Sequence, residues 1–520
     1  MMIAKRAAPC NPPLPHGYVP KAKLYKHQIK GIETLEKYCY FGLFDQMGLG
    51  KTLELLYTAL DLIHGKVFEC AIIVCKASHA RVWTEHIDMH APGTPYYSVI
   101  GMAPGKRKQA WPMNFPIYLV NYELLSRMIV TKKRAQEAIT KGHPIYTLQN
   151  GVRIVGDDAT NLHTLMNSKQ CALILDESQM IKNPTAKVTR VLHGLAPKAV
   201  CRYIATGTPV AERPDDTWSQ IFFLDRGNLL GNNYWKFIPH YAKFHESKGR
   251  RWITGYKNLA DLRARIQSIS IRRTKDECLD LPQKTFEHEY VTPGTQQMQL
   301  LNAVRAEMIH ALSSMKKGHI QLQVGTSFSS CLQRLQKVAA MPCTVHPNCK
   351  PSAKYDALRD HMESMNGDQI VVWCIHKAVV DAVTLRLNME LTPYTAVKVH
   401  GDISISERNH TIDAFKAGKH RALVATMATL REAVTLTCAQ HAFYMQLDFS
   451  LVNWLQSQDR IHRIGTKGTV VVNTPLLLGS LDSYIHTYLL DKEAHATSST
   501  DHSVVTVSRD GLLKTLKKGK

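Results

Sequence analysis

No run of about 18 consecutive apolar residues occurs in the 520-residue chain, which argues against a membrane-spanning helix. The opening stretch from Met1 to Pro9 lacks the apolar core of a secretory signal. No internal repeat is present. Twelve cysteines are scattered, several within apolar runs such as those around Cys75 and Cys374, and they form no regular framework. Reduced thiols in a cytosol-like compartment are therefore expected. Acidic residues are scarce relative to basic ones: 43 against 65, for a formal charge of +22. That surplus suits a polyanionic partner, although solubility alone explains it equally well.

What is present is an ordinary globular balance, 44% hydrophobic and 21% charged, on a chain long enough for two or three domains. Short apolar runs alternate with helical stretches. The strand candidates are Tyr40–Phe44, Ala71–Cys75, Ile117–Asn121, Ala172–Leu175 and Tyr203–Ala205, then Gln369–Trp373, Ala396–Val399, Arg421–Ala425, Phe443–Leu447 and Thr469–Asn473. This alternation predicts an α/β chain of two parallel-sheet lobes. The expected organisation is an extended, proline-rich arm at 1–24, a first lobe at 25–230, a mostly helical connector with protrusions at 231–350, a second lobe at 351–490, and a basic flexible tail at 491–520. Asn150-Gly151 between two β-prone runs predicts a hairpin with a type I′ turn near 145–155, inserted into the first lobe.

Three blocks carry chemistry. Asp45-Gln46-Met47-Gly48-Leu49-Gly50-Lys51-Thr52 stands between a strand and a helix. A glycine turn there lets backbone N–H groups reach phosphates, with Lys51 on the β- and γ-phosphates and the Thr52 hydroxyl on Mg²⁺. Asp45 departs from the glycine that the general phosphate-loop pattern wants, and a tight turn with an incidental lysine is the plain alternative. The strand Ala172–Leu175 ends in Asp176-Glu177, which fits a metal-holding carboxylate followed by one that activates water. Alone, such acids often only cap a helix. In Gln456–Gly465, Arg460 and Arg463 are three apart and would share a helix face, able to neutralise charge on a transferring γ-phosphoryl group. The first two blocks lie in one lobe and the third in the other, so the sequence predicts chemistry completed by lobe closure.

These blocks, in this order, resemble the Swi/Snf-like branch of the superfamily-two helicases. Leu24–Gln28 is similar to the glutamine motif, Asp45–Thr52 to motif one with Gln46 in place of Glu, and Ala205–Pro209 to motif three. Ile271–Lys275 with Leu281-Pro282 is similar to the lobe connector, Ile370–His376 to motif four, His400-Gly401 through Phe415 to the next block, and Gln456–Gly465 to motif six. The resemblance implies two RecA-like lobes using ATP and Mg²⁺, with Gln28 reading adenine, and Met47, Gly48, Leu49, Gly50 and Gln456 in the nucleotide pocket. It implies movement along double-stranded DNA, displacing proteins or remodelling branched DNA. Lys76, Tyr122, Thr206, His400 and Thr426 would line the strand-tracking groove. A strand-separating helicase, an RNA-directed motor and a DNA-binding module with a silent ATPase are the rival readings. Gln179 replaces a frequent histidine, and the motif-five region Ala425–Ala433 lacks the family's glycines and carries Arg431-Glu432.

Basic clusters at Lys106–Lys108, Lys132–Arg134, Arg250-Arg251, Arg272-Arg273 and Lys514–Lys520 are expected to meet phosphates. Cys343, His346 and Cys349 have zinc-ligand types, but no fourth ligand stands nearby. The absence of reader modules does not favour nucleosome remodelling. It suggests a bacterial or phage setting, in the cytoplasm with the nucleoid, or the nucleus if the source is eukaryotic.

Overall fold

The structure, a computed structural model, describes Tyr18 and residues 20–207, 213–247, 250–314, 326–349, 352–365, 367–390, 395–430, 434–497 and 509–518. Thr208, Pro209, Arg431 and Glu432, most of the 1–24 arm and part of the 491–520 tail lie outside the described residues. The chain divides into two compact units, Met1–Leu279 and Asp280–Lys520.

In chain order the strands of the first unit are β1 (Tyr40–Leu43), β2 (Cys70–Cys75), β3 (Tyr96–Ser98), β4 (Ile117–Asn121), β5 (Ile145–Thr147), β6 (Arg153–Val155), β7 (Cys171–Asp176), β8 (Cys201–Ala205), β9 (Ala242–Ser247), β10 (Arg250–Tyr256) and β11 (Ser270–Ile271). Seven of them form one sheet in the order β11-β1-β8-β7-β2-β4-β3, with every pairing parallel. The sequences of β2 and β7, CAIIVC and CALILD, are buried throughout, as strands covered on both faces must be. The carboxyl ends of such strands are where ligand-binding loops gather.

The second unit contains β12 (Lys284–Val291), β13 (Ile370–Cys374), β14 (Ala396–Val399), β15 (Ala422–Thr426), β16 (His441–Tyr444) and β17 (Val470–Leu477). They form a parallel sheet in the order β12-β17-β16-β13-β15-β14. Trp373, Trp454 and Tyr444 pack at its core with Leu301, Met308 and Leu312 from the Thr295–Ser314 helix. Each of the ten expected strands overlaps a strand of the structure, although the run Phe443–Leu447 is shifted: β16 ends at Tyr444.

Three expectations are corrected. The 231–350 segment is not helical throughout: it also contains the β9–β10 antiparallel pair and β12, and the unit boundary at Leu279/Asp280 divides it. Strand β12, KTFEHEYV, is an edge strand with mostly exposed side chains, so backbone pairing to β17 defines it, not an apolar run. The end of the chain is not a loose tail throughout. Helix Asp482–Thr497 runs into it, and helix Arg509–Lys518 buries Leu512 and Leu516, one helical turn apart, in the second unit's core. The hairpin β5–β6 is antiparallel, but its turn is not type I′. Gly151 N–H donates to Leu148 O at 2.9 Å, and only Gly151 of the Asn-Gly pair has positive φ, 78°. That pattern is a type I turn closed by a left-handed glycine bulge.

Among the described residues no helix is long and apolar enough to cross a membrane. Cys343, His346 and Cys349 lie in a short turn where Val345 and His346 N–H both donate to Pro342 O at 2.9 Å. Among the described residues no group of three metal-ligating side chains is gathered, there or elsewhere.

Candidate active site

In the first unit the loop from β1 to helix Lys51–His64 passes through Gly48 and Gly50, with φ of 87° and 89°. At Gly50 two constraints coincide: the left-handed backbone, and a side-chain carbon there would stand 2.3 Å from Gln28 Nε2. Lys51 Nζ donates to Asp45 O at 2.7 Å and to Gln46 O at 3.3 Å, so its ammonium lies along the loop. Gln28 is 2% exposed and braces this loop. Its Nε2 donates to Leu49 O at 3.2 Å, its Oε1 accepts from Tyr25 N–H at 3.0 Å, and His27 Nε2 lies 3.0 Å from Leu49 O. Both ends of the Gln28 amide are thus held by backbone, where the resemblance implied a contact to adenine. Gly207, in the middle of motif three, touches the loop from another side: a side-chain carbon there would meet Met47 Cγ at 2.4 Å.

Asp176 and Glu177 leave the carboxyl end of β7. Asp176 is 7% exposed; its Oδ2 accepts from Trp83 Nε1 at 2.9 Å and lies 3.5 Å from His79 Nδ1. Burial alone would push its carboxyl up, but His79, the Trp83 hydrogen bond and the Lys51 charge hold it below the ordinary range. It therefore stays an anion beside the lysine. Glu177 sits in the left-handed region, φ 55° and ψ 54°, which costs a non-glycine residue about 1 kcal/mol or more. Gln179, which stands where the family often has histidine, donates from Nε2 to Glu177 Oε2 and so fixes this carboxylate. The Thr52 hydroxyl and Asp176 carboxylate are hard oxygen donors of the kind Mg²⁺ takes.

An element that sequence reasoning missed lies beneath the loop. Asp45 and Glu54 have side chains with 0% exposure, and both bond Arg273. Arg273 Nε donates to Asp45 Oδ1 and Oδ2 at 3.0 and 2.9 Å, Nη2 donates to Glu54 Oε2 at 2.7 Å, and Nη1 donates to His27 O. One guanidinium cannot neutralise two fully buried carboxylates. Burial pushes Glu54 up to about 8, opposed by Arg273 and reinforced by Asp45. The expectation that Arg273 meets phosphate is therefore corrected: it is an internal cation, 9% exposed.

In the second unit, helix Leu451–Ile461 ends before Arg463, with His462 as its cap at φ −113° and ψ 87°. The two arginines therefore do not share a helix face, because Arg463 lies beyond the helical repeat. Arg463 Nη1 donates to Thr435 Oγ1 at 2.8 Å, and Thr466 Oγ1 accepts from Arg463 N–H at 3.1 Å. Arg460 is 9% exposed and Gln456 2%.

The expected groove residues are mostly inside. Tyr122, Thr206, His400 and Thr426 are 1%, 0%, 6% and 4% exposed, which is too little for their side chains to line an open groove. Tyr122 donates to Asp176 O at 2.7 Å, Thr426 to Thr429 Oγ1 at 2.7 Å, and His400 Nε2 lies 3.4 Å from Asp381 Oδ1. Strand ends in a doubly covered sheet point side chains into the covering layers. Lys76 is half-buried at the start of the Ala77–His79 turn.

Fold and site thus define a two-unit α/β protein with a phosphate loop and a strand-end carboxylate pair in its first unit. The family description "SNF2-related domain" matches residues 27–343, and "Helicase conserved C-terminal domain" matches residues 353–465. The chain belongs to the SNF2-related family and is a helicase-family ATPase. It is 24% identical to the DNA annealing helicase and endonuclease ZRANB3 of Mus musculus over 88% of this chain and 38% of that protein. It is also 24% identical to the SWI/SNF-related matrix-associated actin-dependent regulator of chromatin subfamily A-like protein 1 homolog of Caenorhabditis elegans, over 86% of this chain and 58% of that protein. The chain spans 38% to 58% of the length of these relatives. The Sulfolobus solfataricus SWI2/SNF2 ATPase core in complex with dsDNA is similar at 22% identity and TM-score 0.40, covering 93% of this chain and 94% of that one.

Proposed function

We propose that the chain is an ATP-dependent translocase on double-stranded DNA that displaces bound proteins or remodels branched DNA. The observation that carries this reading is the first unit's nucleotide site. Lys51 lies on the loop carbonyls, Asp176 is kept ionised beside it, and Glu177 is held in a costly conformation by its neighbours. Strain at a carboxylate on a strand end is a feature of working sites.

In this reading Lys51 takes the β- and γ-phosphates, and Thr52 with Asp176 holds Mg²⁺. Glu177 orients and deprotonates the attacking water. Met47, Gly48, Leu49 and Gly50 present backbone to the phosphates, and Gln28 sets the loop's position. Gln456 belongs to the nucleotide pocket, and Arg460 and Arg463 neutralise charge that develops on the γ-phosphoryl group. The +22 charge supplies sequence-independent affinity for DNA, and the work is done where the DNA is, nucleoid or nucleus.

The first experiment compares ATP turnover with duplex DNA, single-stranded DNA, RNA and no nucleic acid. Duplex DNA should stimulate most; equal turnover without nucleic acid would reject the reading. A fork-unwinding assay beside triplex-strand displacement separates the translocase from a strand-separating helicase: displacement without unwinding is expected.

A further inference from the structure

Two basic runs that are separate in sequence meet in the structure. Arg107 from one and Arg134 from the other line a single cavity of about 360 Å³, together with Arg127 and Lys141. The cavity lies at the root of the insertion that carries β5 and β6, which is fastened by the Ile129–Ile154 bridge and by Val130 N–H donating to Arg153 O at 2.9 Å. Helix Asp157–Ser168 begins on its wall, and Asp157, Asp158 and Glu137 are its acids. Asp158 has Arg107 as its electrostatic partner, and Asp157 Oδ1 lies 3.8 Å from His143 Nδ1.

That leaves Arg127, Arg134 and Lys141 facing Glu137 alone. Among the described residues none of these three cations has an ion pair. Like charges gathered without partners repel one another, and an anion between them removes that cost. Guanidinium forks match phosphate oxygens in pairs, and the volume suits one nucleotide unit better than a bare ion.

We propose that this cavity holds a backbone phosphodiester of the DNA, a contact point outside the nucleotide site. The proposal rests on the DNA reading above and adds a specific place for it. The insertion then anchors the duplex, and the β5–β6 hairpin lies alongside it.

The test uses the full chain. Binding to a fluorescein-labelled duplex is followed by anisotropy over a salt series for wild type, for R127A/R134A/K141A, for R127K/R134K, and for a charge-matched control, K23A/K30A/K37A, on exposed positions. Each phosphate neutralised contributes about 0.9 to the slope of log K against log salt, so losing the one phosphodiester contact should take about 0.9 from the slope in the triple variant. The lysine pair and the control should both keep the wild-type slope, and turnover without DNA should not change. A wild-type slope in the triple variant, or an equal loss in the control, overturns the cavity assignment while leaving the DNA reading in place. A wild-type chain that binds no duplex at low salt overturns both.

Discussion

Replacing Arg273 by alanine removes the guanidinium that bonds both Asp45 and Glu54, two carboxylates whose side chains have 0% exposure. Neither can recover hydration without opening the packing under the phosphate loop. Breaking a buried pair in this way costs about 3–5 kcal/mol, mostly the desolvation of the charge left behind. For a unit of this size that is a fall in Tm of roughly 5–9 °C. The triple change Arg273→Met, Asp45→Asn, Glu54→Gln removes the charges together and should recover most of the loss. The pH dependence has a definite sign. Glu54 has its folded pKa raised from the ordinary 4.5 to about 8, so its contribution to stability is fully present below 4.5 and is lost as pH rises through 8. Glu54→Gln should flatten that decline; Glu36, raised to about 8 chiefly by burial, leaves a residual slope. Calorimetry between pH 4.5 and 8.5, with ATP turnover alongside, makes the measurement. An Arg273→Ala protein within about 1 kcal/mol of wild type would refute the buried-network argument.

Lys51→Ala should lower ATP turnover by about 10²-fold or more while duplex binding, read by anisotropy, survives. Glu177→Gln should bind ATP yet not hydrolyse it, and Glu177→Gly should raise stability by roughly 1 kcal/mol through relief of the left-handed strain, read by denaturant melts. Leu512→Ala should destabilise the second unit by about 2–5 kcal/mol, because this side chain is 0% exposed in the core; an unchanged melt would show that the C-terminal helix contributes nothing.

The strands of both sheets were legible because a doubly covered parallel strand must be almost continuously apolar: β2 and β13 are apolar throughout, and β7 and β15 up to their last residue. The phosphate loop was legible because strand, glycine turn and lysine are local in sequence. Strand β12 was not, since its side chains are exposed and its identity depends on a partner strand far along the chain. The spacing of Arg460 and Arg463 implies a shared helix face because spacing does not reveal where a helix stops; Thr466, which accepts the Arg463 N–H, ends that segment with Gly465 at φ 99°. The motifs of Tyr122 and Thr426 imply groove contacts, whereas each hydroxyl is bonded inside its own unit.

Asp45 shows the same limit most sharply. In sequence it is a departure from the glycine of a phosphate loop. In the structure it is required by a residue 228 positions away, whose backbone N–H it also accepts at 3.0 Å. The contact continues as a ladder: Phe44 N–H donates to Ile271 O at 2.8 Å, Gln46 N–H to Arg273 O at 2.9 Å, and Lys275 N–H to Gln46 Oε1 at 2.7 Å. Gln46, the other departure in this motif, therefore supplies an acceptor that closes the ladder. A loop tied at three successive points to residues 271–275 cannot shift its phosphate-binding backbone independently of them. Those residues end four positions before the boundary between the two units at Leu279. Any rearrangement of the Lys51 loop on nucleotide binding is thus imposed first on the stretch of chain that leads from one unit to the other. The two substitutions that weaken the textual motif are the ones that make this coupling stiff.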